Sequence, residues 1–411
     1  MNNYSKWEDF LNADLNEWHD TIMGEIFTHR QEKNRPELPL LSVTGEDGVV
    51  DRDTLERRDT SNADKSKYLR VVSGDIVYNT MRMWQGVSGS APKDGLVSPA
   101  YTVLEPKRSI ASAFAKYLVK EERLVQVFHK NSQGLVDDTL NLKFANFSPI
   151  KVKIPPLPEQ KKIASVLTSV DEVIKKTQSQ INKLQNLKKG MINELLTKGI
   201  GHTEFKNSEL GRIPKSWEVR KIEEIFKETR LLTSDERSNP LYSLTIEGGI
   251  VPKSERYERS FLLSDKSKDN YKILVKGDFA LNPMNLRFGA ISAHKQNFQV
   301  CVSKYYGTIR LKNISFSVQF YQELFQSKKM LNVYEAIATG TLDEKKRVHL
   351  KQFMKLNVPF PPIDEQLNLE KRILSLNTLI IEKDQRLQKI KSLKKSLMQD
   401  LLTGKVRVSV N

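Results

Sequence analysis

Apolar positions between Pro155 and Gly199 recur at alternating steps of four and three: Ile163, Leu167, Val170 and Ile174, then Ile181 and Leu184, then Met191 and Leu195. This spacing draws one narrow apolar seam along a long helix, the pattern of a coiled coil. Prolines around the start suit a first turn, whose amide hydrogens lack partners anyway. Glu159 adds a carboxylate where the helix dipole favours one, and Gly199 with Gly201 marks the end. At ~1.5 Å per residue, about 39 residues predict a helix on the order of 58 Å long.

The same stretch occurs twice. A shift of 206 positions (361 − 155) lays Pro155 on Pro361 and, without a gap, Ile163 on Leu369, Leu167 on Ile373, Val170 on Leu376, Ile174 on Ile380, Ile181 on Leu387 and Leu184 on Ile390. Breaks in the seam coincide as well: Thr177 falls on Lys383, and Lys188 on Lys394, with Leu187 and Leu393 beside them.

What precedes each helix is also paired. Trp18-His-Asp-Thr-Ile-Met-Gly-Glu-Ile-Phe27 matches Trp217-Glu-Val-Arg-Lys-Ile-Glu-Glu-Ile-Phe226, and the stretches from Pro39 and Pro240 both read as a strand running into a turn. The stretches from Val72 and Val275 read as strand, Gly-Asp turn, strand. Those from Ser112 and Ser317 start amphipathic helices. A last apolar alternation, Leu142, Phe144, Phe147 and Ile150, answers Val348, Leu350, Phe353 and Leu356. The expected fold class is α+β, with two pseudo-symmetric mixed α/β domains and two long antiparallel coiled-coil helices. The expected boundaries are an N-terminal segment 1–17 packing near the C-terminus, a first domain 18–154, a first helical region 155–200, a lead-in and second domain 201–360, and a second helical region 361–411. The helices must run antiparallel if each domain's first and last residues lie close together, which would set the domains at opposite ends.

Composition narrows the picture. A net charge of +16 and a pI near 9.5 point toward a polyanion, with general solubility as the plain alternative. No apolar run approaches the ~20 residues needed to span a bilayer, and the opening residues carry no apolar signal core. One cysteine, Cys301, rules out an internal disulfide, and six histidines lie scattered without metal-ligand spacing. A cytoplasmic protein with no membrane partner is expected.

Catalytic motifs are missing: there is no Walker loop, no Gly-x-Ser-x-Gly and no His-Glu-x-x-His. Asn282-Pro283-Met284-Asn285 is similar to the Asn-Pro-Pro-aromatic loop of adenine methyltransferases, but its counterpart Asn79-Thr80-Met81-Arg82 lacks the proline, so a turn is the better reading. Glu159-Gln160 and Glu365-Gln366 read as helix starts. No cofactor or metal is expected in the chain. After each Gly-Asp turn, Tyr78, Asn79, Arg82 and Trp84 in one copy and Asn282, Asn285 and Arg287 in the other mix residue types that can read base edges in the DNA major groove; a polar loop capping a strand is the alternative. Basic positions suited to phosphate contacts are Arg57, Arg58, Lys65, Lys67, Lys93, Arg256, Arg259, Lys266, Lys268, Lys295, Lys345, Lys346 and Arg347, each equally readable as part of a solvated loop.

Pro155-Pro-Leu-Pro-Glu-Gln160, Leu195-Leu-Thr197 and Gly211-Arg-Ile-Pro-Lys-Ser-Trp-Glu-Val219, set in a twofold pattern of domain and helix, resemble the specificity subunit of a type I restriction-modification system over nearly the whole chain. The first domain departs by lacking that lead-in before Trp18. The resemblance implies a non-catalytic reader of double-stranded DNA with one recognition domain for each half of a split, asymmetric target. It further implies helices that dock two modification subunits carrying S-adenosylmethionine, and restriction subunits using ATP and Mg. A free-standing sequence-specific DNA-binding regulator built on a coiled-coil scaffold is the alternative.

Overall fold

The computed structural model describes residues 17–55, 64–253, 271–342 and 345–409. The N-terminal segment up to residue 16, with Arg57, Arg58, Arg256, Arg259, Lys266 and Lys268, lies outside the described residues. The chain divides into two compact units, Met1–Ser179 with Asp384–Asn411, and Gln180–Lys383.

Unit 1 is built on a four-stranded antiparallel sheet of β1 (Phe27–Arg30), β2 (Ile76–Asn79), β3 (Ser88–Ser90) and β4 (Tyr101–Pro106), in the order β1-β4-β2-β3. Alternate residues of β2 enter two different cores. Ile76 and Tyr78 face a large core shared with helices α1 (Ser112–Leu118) and α2 (Glu122–Asn131), while Val77 joins a smaller core with the hairpin Leu41–Thr44/Gly48–Asp51. Both faces of the strand are therefore dry, which explains an apolar run with no polar side. Phe144 and Phe147 do not continue a strand. Their spacing of three puts them in one short helix, Phe144–Phe147, ahead of the strand Lys151–Ile154. That strand pairs antiparallel with His19–Ile22, so the domain's first and last strands are neighbours. It leads into the long helix α3 (Leu157–Lys198).

Unit 2 repeats the plan. Its sheet is β5 (Phe226–Glu228), β6 (Phe279–Leu281), β7 (Ile291–Ala293) and β8 (Gly307–Leu311), in the order β5-β8-β6-β7, followed by α4 (Val318–Phe325) and α5 (Lys328–Ile337). Glu218–Lys221 pairs with Asn357–Phe360 before the second long helix, α6 (Ile363–Leu402).

The long helices run antiparallel within each unit. In unit 1, Ile163 and Leu167 of α3 share a core with Leu401 and Leu402 of α6, and Asp171 meets Lys394. In unit 2, Leu195 and Leu196 share a core with Leu369, and Lys383 reaches Gln180. Ile163, Leu167, Ile181, Leu369, Ile373 and Leu387 are buried, and Val170, Ile174, Leu184, Leu376, Ile380 and Ile390 are half-buried. Leu187 and Leu393 are exposed.

Every break in the seam has a partner. The Thr177 hydroxyl donates to the Val173 carbonyl at 2.7 Å, and Lys383 Nζ donates to Gln180 Oε1 at 3.0 Å. Lys188 Nζ lies 3.8 Å from Glu323 Oε1, and Lys394 Nζ lies 2.6 Å from Asp171 Oδ1. Only the Lys383–Gln180 and Lys394–Asp171 contacts join one long helix to the other, and these fix register, since a slip would leave them unpaired. Among the described residues no helix is long and apolar enough to cross a membrane.

Candidate nucleic-acid interface

After β2 and after β6 the chain makes the same loop, Asn79 to Gly86 and Asn282 to Gly289. The opening asparagine closes a turn on itself: Oδ1 accepts from the Met81 amide at 3.0 Å in one copy and from the Met284 amide at 3.1 Å in the other. Met83 and Leu286 then plug the core, both fully buried. Gly86 at φ 74° and Gly289 at φ 93° end the loop in the left-handed region, where a side chain would be strained. The frame therefore leaves the same positions outward. Met81, Arg82 and Gln85 are exposed in the first copy, and Met284, Asn285 and Phe288 in the second.

At the other end of β2 and of β6 from each loop sits a buried carboxylate from the Gly-Asp turn. Asp75 accepts from the Val72 amide at 2.9 Å and from Arg30 Nε at 2.7 Å. Asp278 accepts from the Val275 amide at 3.0 Å and from Arg310 Nε at 2.6 Å. The arginine comes from β1 in one unit and from β8 in the other, so the buried charge is met by whichever neighbouring strand carries a cation. Burial pushes the Asp75 carboxyl above its ordinary range despite the arginine.

One loop position is joined to the following helix. Trp84 donates from Nε1 to the Met81 carbonyl at 3.0 Å and lies 5.6 Å, centroid to centroid, from His129 of α2. In unit 2 the matching residue, Arg287, places Nη1 3.2 Å from Glu335 Oε2 of α5 and stacks over Phe288. Under the 206-residue shift His129 falls on Glu335, so one joint is filled by two chemistries.

These contacts redistribute the residues expected from sequence. Tyr78 is fully buried, its ring 5.4 Å from Phe147, and it cannot reach a base because odd and even residues of β2 both face cores. Arg287 is not an open guanidinium: its side chain is 12% exposed and ion-paired. Asn79 and Asn282 each spend their oxygen on a turn. Lys93 pairs with Asp51 at 2.6 Å, and Lys295 is exposed. Lys65 lies over the Tyr68 ring and Lys67 is exposed. Lys345 and Arg347 are exposed, while Lys346 Nζ lies 3.1 Å from Glu335 Oε1. The Val348 amide donates to the Pro283 carbonyl at 2.9 Å, holding the Lys345–Arg347 stretch against the loop. In unit 1 the Leu142 amide does the same to Thr80.

Sequence reasoning missed the helix partners His129 and Glu335, for which only the repeat offered a signal. It also underrated the Glu-Gln pairs. Gln160 is fully buried, with Oε1 accepting from the Ala111 amide at 2.8 Å and Nε2 donating to the Ser109 and Pro155 carbonyls at 3.1 and 2.9 Å. Gln366 repeats this with the Ser317 amide and the Pro361 carbonyl. Glu159 accepts two bonds from Arg407, and Glu365 accepts from the Ile200 amide, His202 and the Trp217 indole at 3.0, 2.8 and 2.8 Å.

Residues 4–186 match the model of the type I restriction modification DNA specificity domain. Two chains of Methanocaldococcus jannaschii are similar to this one. The type I restriction enzyme MjaVIII specificity subunit is 28% identical over 361 residues, covering 84% of this chain and 83% of its own. A chain assigned as the MjaX specificity subunit is 28% identical over 428 residues, covering 98% and 94%. Among solved structures, the S subunit of a type I restriction-modification system from M. genitalium has a TM-score of 0.51 at 16% identity, covering 95% of this chain and 97% of its own. A chain solved for complex assembly and conformational transition of the type I R-M system has a TM-score of 0.56 at 13% identity, covering 95% and 98%. At these identities the structural likeness is one of fold.

Proposed function

We propose, from a chain that resembles type I restriction-modification specificity subunits along nearly its whole length, that it reads double-stranded DNA through the two loops Asn79 to Gly86 and Asn282 to Gly289. One observation carries this reading: a single loop frame occurs twice and turns different side chains outward, Met81, Arg82 and Gln85 against Met284, Asn285 and Phe288. Arginine can pair bidentately with guanine and asparagine with adenine in the major groove, so unlike loops read unlike half-sites. The target is then bipartite and not palindromic. Lys93, Lys295, Lys345 and Arg347 are suited to backbone phosphates, which orient the protein without specifying bases.

On this reading the long helices dock two modification subunits, and restriction subunits join the full complex. S-adenosylmethionine, ATP and Mg belong to those partners. Sequencing the methylated positions in a host carrying this chain with its modification subunits is expected to return two unlike short motifs separated by unread bases. A continuous or perfectly palindromic motif would overturn the proposal. A free-standing regulator would instead bind one sequence tightly with no partner present.

A further inference from the structure

Three residues that the sequence left apart meet at one place in unit 2. Arg287 of the loop and Lys346 of the following segment both contact Glu335 of α5, at 3.2 and 3.1 Å. Glu335 Oε1 accepts from Lys346 Nζ at 3.1 Å and from Arg287 Nη1 at 3.3 Å, and Oε2 accepts from the same Nη1 at 3.2 Å, so one carboxylate bridges both cations; a guanidinium beside an ammonium is a common phosphate-binding pair. Lys346 first, then Arg287, holds the Glu335 carboxyl below its ordinary range, so it is charged at neutral pH. Glu335 is about half exposed, whereas the Arg287 side chain is 12% exposed and stacked on Phe288. The anion can therefore swing away while the guanidinium keeps its place. Unit 1 has no such trio: Trp84, His129 and Leu140 stand at the matching positions.

We propose that Arg287 and Lys346 form a backbone-phosphate site in the second domain, and that Glu335 occupies it until DNA displaces the carboxylate. The proposal rests on the reading that this chain holds duplex DNA. It makes Glu335 a guard against sequence-independent binding, because the phosphate must compete with a carboxylate already in position. Neutralising phosphates releases counterions, so each effective cation adds about 0.9 to the slope of log affinity against log salt.

The test is a mutant cycle on the full chain assembled with its modification subunits, measuring binding to a random-sequence duplex across a salt series. Glu335→Gln is expected to tighten binding roughly five- to tenfold at low salt and to steepen the slope by about one. Lys346→Gln is expected to weaken binding and flatten the slope. In the double variant, the gain from Glu335→Gln should fall below half of its value in the parent. An equal gain in both backgrounds would mean a general field effect and would sink the proposal, as would unchanged or weaker binding by Glu335→Gln. Parent protein with no salt-dependent binding at all would overturn the DNA-reading function itself, a distinguishable failure.

Discussion

Tyr78 and Arg82 stand four positions apart in a row of plausible DNA contacts, yet their surroundings separate them. The Tyr78 hydroxyl finds no hydrogen-bond partner among the described residues, so Tyr78→Phe removes an unmet polar group and should leave stability level or slightly higher. The methylated motif should not change. Arg82→Ala touches only an exposed side chain and should relax one half-site, at a cost of about 1–3 kcal/mol in discrimination there. Methylation sequencing of both variants decides between them: an altered motif with Tyr78→Phe would contradict the buried reading. Residue type alone could not sort these two, because both belong to the set that reads bases. Burial of Tyr78 depends on a second core under β2, built by a hairpin distant in sequence. The Arg287 pairing depends on Glu335, 48 positions further along the chain.

Both long helices were legible because a seven-residue repeat needs no tertiary information to be recognised. Its polar breaks were legible as breaks, but their partners were not: Glu323 and Asp171 enter only once neighbouring elements pack. How the helices are fastened to the domains was hidden in the Glu-Gln pairs, which read as ordinary helix starts. Gln160 closes three hydrogen bonds and Gln366 two, joining the first turn of each helix to the residues before it and to the start of α1 or α4. Gln160→Leu strands an amide and two carbonyls, and at roughly 1–3 kcal/mol per buried unmet group it should lower the denaturant midpoint more than Gln366→Leu does. Equal midpoints for the two variants and the parent would remove the glutamines from any fastening role.

At the scale of the whole chain, the sequence order of the two units is unequal. Unit 2 is one unbroken stretch, Gln180–Lys383, whereas unit 1 joins Met1–Ser179 to Asp384–Asn411. Leu401 and Leu402 complete the core that holds Ile163 and Leu167, and Arg407 bonds the buried Glu159. Ending the chain after Ser396 removes all three contributions, and two buried leucines alone contribute about 1.5–3 kcal/mol each. Limited proteolysis of that truncated protein should cut unit 1 sooner and unit 2 at the unaltered rate. Equal protection of both would show that the distant residues add little. The duplication made this two-unit plan readable in outline, since apolar spacing repeats without a gap. The split membership of unit 1 follows from the antiparallel pairing, which no local pattern states. It also has a consequence during synthesis: the unit begun first stays unfinished while the interrupting one leaves the ribosome entire. Until the residues from Asp384 onward are translated, the nascent polypeptide carries an uncovered leucine and isoleucine face, the kind of apolar surface that chaperones hold.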